Sequence, residues 1–241
     1  MPPATTRLRA RHAAARFYVS RAPHLLRSLS LALAFCSPVA VIAAPATLPT
    51  KPNVSFIYDD DLGYGDLGCY GAKDIETPHI YPLAAEGTRF TSFYLAQSVC
   101  TAARAALMTG SYANRVSMSG ALNHTSTVGL HTREKLLGQV FKDQGYATAA
   151  FGKWHLGHHP QFLPTRRGFD EWLGIPYPND NGPFLSYGEH AGLSGPLREG
   201  KRTTSEGGMR TPCLVRWPGR VPAARVSDEP FSTMDFHVTL A

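Results

Sequence analysis

Apolar positions along this 241-residue chain fall into short runs separated by glycine-rich polar stretches. Residues 53–58, NVSFIY, are mostly apolar, β-branched and aromatic, which predicts a buried strand. The run stops at DDDLGYGDLGCYG (59–71), whose carboxylates and glycines predict a loop at the strand's C-terminal end. In open α/β sheets, ligands bind outside that end of the strands. YPLAAEG (81–87) predicts a short helix stopped by Gly87, and TRFTSFYLA (88–96) alternates like a strand. ARAALMTG (103–110) predicts a helical turn or two. In TREKLLGQVFKDQG (132–145), Leu136, Leu137, Val140 and Phe141 recur at helical spacing, with Gly145 as the stop. ATAAFGKWHLG (147–157) reads as strand then loop, CLVRW (213–217) as a strand, and PFSTMDFHVTLA (230–241) as leading into a helix. This alternation predicts an α/β fold with a central, mostly parallel sheet flanked by helices.

The formal charge of +6 first points to a basic protein, but its distribution says otherwise. Arg7, Arg9, Arg11, Arg16, Arg21 and Arg27 all precede residue 46, with no acidic residue among them. The other Lys and Arg residues only balance the 18 Asp and Glu residues. No nucleic-acid footprint is left, so nucleic acid is not an expected partner. The arginines lead into the apolar run LSLALAFCSPVAVIAAPA (29–46). It ends at Ala44-Pro45-Ala46, the A-x-A form of a cleavage site. Ser37-Pro38 interrupts the run, which is short for a membrane span. Residues 1–46 are therefore expected to be a signal peptide and residues 47–241 the exported part, periplasmic or secreted, with no stable membrane anchor. Cys69, Cys100 and Cys213 follow the signal. Three thiols cannot all pair within one chain, so at least one is free or modified.

Five groups of residues carry candidate chemistry. Asp59, Asp60 and Asp61 are adjacent carboxylates that suit a hard cation such as calcium or magnesium, or else form a solvated acidic loop. Asp180-Asn181, in NDNGP, offer two more oxygen donors, or an ordinary turn. Lys153 and His155, in GKWHLG, point to one side of an extended segment. Together they suit an anionic substrate, one by charge and the other by proton transfer, or they are surface residues beside a Trp154 anchor. Cys100 opens a helix, with Arg104 one turn on. A helix N-terminus stabilises an anion, though a lone cysteine is more often simply buried. Lys201 lies in a loop of small residues, REGKRTTSEGGMR (198–210), as a ligand for an anion or as a solvated lysine.

The order of these groups is more specific than any one of them. KPNVSFIYDDDLGYGDLGCYG, VCTAARAALMTG, GYATAAFGKWHLG, GFDEWLGIPY, DNGP and GKRTTSEGGMRTPCLVRWPG occur in the order seen in arylsulfatases. From about Lys51 onward the chain resembles a type I sulfatase of the alkaline-phosphatase superfamily. The resemblance implies that Cys100 is oxidised to formylglycine by a formylglycine-generating enzyme. One hydroxyl of the hydrated aldehyde attacks sulfur, and the other drives sulfate release. The resemblance also implies one calcium ion on Asp60, Asp61, Asp180 and Asn181, with Asp59 outside the set. Arg104 and Lys153 would hold the modified Cys100, His155 would move its proton, and Lys201 would contact the sulfate of a small molecule or glycan.

The sequence departs from the family pattern in three places. Ala102 stands where the family signature has proline. GFDEWLGIPY and DNGP are joined near Pro178–Asp180, where the family has a long stretch, and Pro178 replaces a serine. The family's smaller C-terminal sheet domain has no counterpart, so 47–241 is expected to be an incomplete N-terminal catalytic domain. Two alternatives follow: an inactive remnant that binds anions or a partner, or a related phosphate or phosphonate ester hydrolase.

Overall fold

The structure is a computed structural model and describes residues 51–177, 195–201 and 203–240. The expected signal peptide, the Pro178–Asp180 junction, Asp180 and Asn181 lie outside the described residues. The helices are α1 (Tyr81–Glu86), α2 (Cys100–Thr109), α3 (Leu137–Asp143), α4 (Glu206–Met209) and α5 (Asp235–Leu240). The strands are β1 (Thr88–Phe90), β2 (Phe93–Tyr94), β3 (Ala149–Phe151), β4 (Glu171–Leu173), β5 (Cys213–Val215), β6 (Arg225–Ser227) and β7 (Phe231–Ser232).

Parallel pairing dominates, as the alternating pattern requires. β1 pairs with β6, β2 with β7, and β3 with β4, all parallel; β5 is antiparallel to β1. The strands form three small sheets, and β5 and β6 are the edges of the largest. The expected strand over 88–96 is two short ones, because the chain changes partner at Thr91-Ser92. Thr91 N–H donates to Ser227 O, while Leu95 N–H donates to Met209 O.

α2 is the hub. Ala102, Ala103, Ala105 and Ala106 are all buried, and small side chains there let neighbouring segments approach the helix closely. Ala105 packs into a cluster with Leu130, Leu136, Trp154 and Leu156, while Leu107 joins Phe93, Cys213 and Phe236 on the other side. Gly110 ends the helix at φ 64°, a left-handed value that glycine takes without penalty, and its N–H caps Ala106 O at 2.9 Å.

One expected element does not form. Residues 53–58 belong to no helix or sheet, and Ile57 is 82% exposed. A strand apolar on both faces needs a ladder on each side. Among the described residues, none pairs with this backbone. Instead a cavity of about 670 Å³ separates the segment from β5, with Val54, Phe56, Tyr58, Val215 and Phe236 among its lining. The segment is held by side chains: Phe56 meets Phe236 edge-on at 5.0 Å, and Tyr58 lies under Arg104.

Candidate active site

Cys100 is the first residue of α2, preceded by Val99 in an extended conformation. No side chain caps this helix start, so the amide dipoles of the first turn stay available to negative charge. Around Cys100 and Arg104 the fold gathers three distant segments, those of Asp60-Asp61, Lys153 and Lys201. Asp60 Oδ1 lies 3.7 Å from its sulfur. The donor atoms of Asp60, Asp61 and Cys100 all fall within 4.8 Å of one another.

Three basic side chains close on the two carboxylates. Lys153 binds Asp60 Oδ2, Arg104 Nη2 stands 3.8 Å from Asp60 Oδ1, and Lys201 binds Asp61 Oδ1. Three cations against two carboxylates leave these side chains with one positive charge in excess, which suits an anion. Burial pushes the Asp60 carboxyl up, but the Lys153 hydrogen bond and the charges of Lys153, Arg104 and Lys201 outweigh it. Asp60 therefore sits below the ordinary carboxylate range. Burial pulls the Lys201 ammonium down, and the Asp61 hydrogen bond with the nearby acidic groups reverses this, so it sits above its usual value.

Each side chain has a local reason for its place. Arg104 is one turn beyond Cys100, its Nη1 donates to Lys153 O at 2.7 Å, and its guanidinium lies 5.4 Å from the Tyr58 ring centre. That single residue ties α2 to the segments carrying Asp60 and Lys153. Lys201 is carried by a tight loop. Gly207 N–H donates to Arg198 O at 2.8 Å, and a Cβ on Gly207 would lie 2.1 Å from Glu199 O. Ser98 Oγ bonds Thr203 O at 2.8 Å, which fastens this loop beside Cys100.

His155 differs from the expected arrangement. Strand β3 ends at Phe151, and His155 takes φ 61°, so the alternation that puts residues two apart on one side does not hold. Lys153 reaches Asp60, whereas the His155 ring is buried, with Nε2 2.7 Å from Leu122 O and Tyr177 edge-on at 5.4 Å. Burial holds its pKa below the ordinary histidine value. The Leu122 bond opposes this, and the Lys153 and Arg104 charges add to it. Asp59 forms none of the close contacts around Cys100.

Sequence reasoning missed Tyr58 and Thr101. Tyr58 ends the apolar run two residues before Asp60, and Thr101 directly follows Cys100, so position alone could have raised both. All three cysteines after the expected signal are free thiols. Burial drives the Cys213 thiol up to about 12 and also raises Cys69, which makes both poor nucleophiles.

Comparison with known proteins gives the family. The profile of the Sulfatase family matches residues 52–191. The chain is 47% identical to human arylsulfatase A over 160 residues, covering 65% of this chain and 30% of that protein. It is 28% identical to N-acetylgalactosamine-6-sulfatase of the dog over 325 aligned positions, covering 80% of this chain and 62% of the relative. That alignment is longer than the chain itself, so the relative has residues with no counterpart here. Among solved structures, Ps i-CgsB superposes with a TM-score of 0.67 at 25% identity, over 76% of this chain and 69% of the other. A structure from work on glycosaminoglycan metabolism by Bacteroides thetaiotaomicron superposes at 0.53 and 37% identity, over 56% and 30%. The chain thus spans about a third of the length of arylsulfatase A. The family match covers more than half of these 241 residues, and the chain belongs to the sulfatase family.

Proposed function

We propose that the chain is an exported sulfuric ester hydrolase of the arylsulfatase type, acting at Cys100 on a sulfated small molecule or glycan. The observation that carries this reading is the convergence of Arg104, Lys153, Lys201, Asp60 and Asp61 on Cys100 in a chain of the sulfatase family. Formylglycine, made from Cys100 by a formylglycine-generating enzyme, would supply the hydrated aldehyde whose hydroxyl attacks sulfur. Arg104 and Lys153 orient the group at position 100, and Lys201 binds a sulfate oxygen. Their surplus charge stabilises the anionic transition state more than the substrate. His155 takes and returns the proton.

Two carboxylates within 4.8 Å of each other and of Cys100 are the hard oxygen donors that calcium takes, and both already attract cations. Asp60 and Asp61, with Asp180 and Asn181, would hold one calcium ion, and its charge would polarise the sulfate oxygens.

The test is hydrolysis of an aryl sulfate by the chain co-produced with the modifying enzyme, in calcium. Turnover is expected, absent in Cys100→Ala and down about 100-fold in Lys201→Ala, the typical cost of one such contact. A chain that carries formylglycine yet turns over neither sulfate nor phosphate esters would overturn the reading. A second reading, an idle remnant that binds anions, is favoured by the unpaired segment 53–58 leading into Asp60 and Asp61.

A further inference from the structure

We infer that Thr101 is a positioning residue for His155, holding the imidazole so that its proton sits on Nε2 and the Nδ1 lone pair is left for proton transfer. The inference rests on the reading of His155 as the proton carrier at Cys100.

Thr101 is fully buried in the first turn of α2 and is bonded to Cys100 in sequence. Its hydroxyl donates to His155 O at 2.9 Å and accepts from Leu122 N–H at 3.1 Å. His155 Nε2 closes the circuit on Leu122 O at 2.7 Å. A carbonyl oxygen can only accept, so Nε2 is the donor. A neutral imidazole carries one proton, so Nδ1 keeps its lone pair. Nδ1 is buried and has no hydrogen-bond partner among the described residues.

One hydroxyl therefore sets two things. It holds Leu122 by its N–H, and the carbonyl of that same residue accepts the Nε2–H hydrogen bond; it also holds the backbone from which the ring hangs. That backbone needs holding. His155 sits at φ 61°, a region costly for a side-chain-bearing residue, and its own N–H is tied to Pro176 O at 2.9 Å. Because Thr101 follows Cys100 directly, the ring is referenced to the peptide that bears the reacting group. Removing the hydroxyl would take its donor from the buried His155 carbonyl and release its hold on the Leu122 N–H, so Leu122 and its carbonyl would shift from the ring.

The test reads the tautomer directly, without turnover. Nitrogen NMR of the full chain carrying 15N-histidine, with the His155 signal assigned through His155→Asn, should show the neutral Nε2–H form. Thr101→Ser should keep it, and Thr101→Val should lose it to a mixture or to the Nδ1–H form. An Nδ1–H parent overturns the inference, as does a folded Thr101→Val that retains the pure Nε2–H form. If Thr101→Val does not fold, parent and Thr101→Ser decide: retention in both supports the inference, and loss in Thr101→Ser overturns it. A protein with the Nε2–H form but no sulfatase activity would sink the proposed function and leave this inference standing.

Discussion

Asp60 Oδ1 and Cys100 Sγ lie 3.7 Å apart across 40 residues of sequence, on a carboxylate that also holds Lys153 and Arg104. A carboxylate is an awkward neighbour for a group that must carry negative charge, unless a cation sits between them. Calcium is therefore expected to raise the melting temperature. Binding to the native state alone adds about 2.7 kcal/mol at a hundred times the dissociation constant. Asp61→Asn should abolish the rise. Asparagine is the cleaner substitution because Asp61 sits at φ 66°, which asparagine tolerates and alanine does not. A scan with and without calcium checks this, and an unchanged parent would show that the carboxylates answer only to lysine.

Ala102 is expected to limit modification of Cys100 more than it harms the fold. It is fully buried in the first turn of α2, and the first helical bond is made one residue later, by Ala103 N–H to Val99 O at 2.8 Å. Proline at 102 would therefore forfeit no helical hydrogen bond. Mass spectrometry of the Cys100 peptide should find partial conversion to formylglycine in the parent and fuller conversion in Ala102→Pro. Complete conversion in the parent would refute the limit.

Acid should destabilise the protein partly through His155. Its folded pKa is depressed from 6.5 by burial and by the Lys153 and Arg104 charges. A depressed value means that the unfolded chain takes up the proton first. The contribution is complete above about pH 6.5 and is lost as the pH falls towards the folded value. Urea unfolding between pH 7.5 and 5, about the ordinary histidine range, should show falling stability in the parent and a shallower fall in His155→Gln. Stability that rises as the pH drops through this window would contradict the burial argument.

The segment 53–58 should make the protein self-associate. Val54, Phe56 and Ile57 are exposed on a backbone that no described strand pairs with, a template for pairing with another chain. Ile57→Lys, at the most exposed of the three, should reduce association with little effect on the melting temperature. Light scattering against concentration reads this directly. Equal scattering from parent and variant would place the association elsewhere.

Much of this protein is set by local sequence. The helix over 100–109 needs only its alanines and Gly110. The short helix over 81–86 is followed by its predicted stop, Gly87. The parallel character of the strand pairs follows from alternating strands and helices. Cys100, Arg104, Lys153, Lys201, Asp60 and Asp61 each stood out as a weak local signal; the order of motifs resembling arylsulfatases grouped them, and tertiary structure brought their side chains together.

Long-range partners decided the rest. NVSFIY has the composition of a buried strand, but a strand exists only through its neighbours, and here a cavity stands where a ladder would run. Strand alternation put Lys153 and His155 side by side. The left-handed backbone at His155 breaks that alternation, and nothing in a two-residue spacing encodes it. The pairing of Thr101 with Leu122 and His155 joins residues up to 54 positions apart. A hydroxyl beside a cysteine was visible in the sequence, but the peptide it holds was decided only by packing α2 against both.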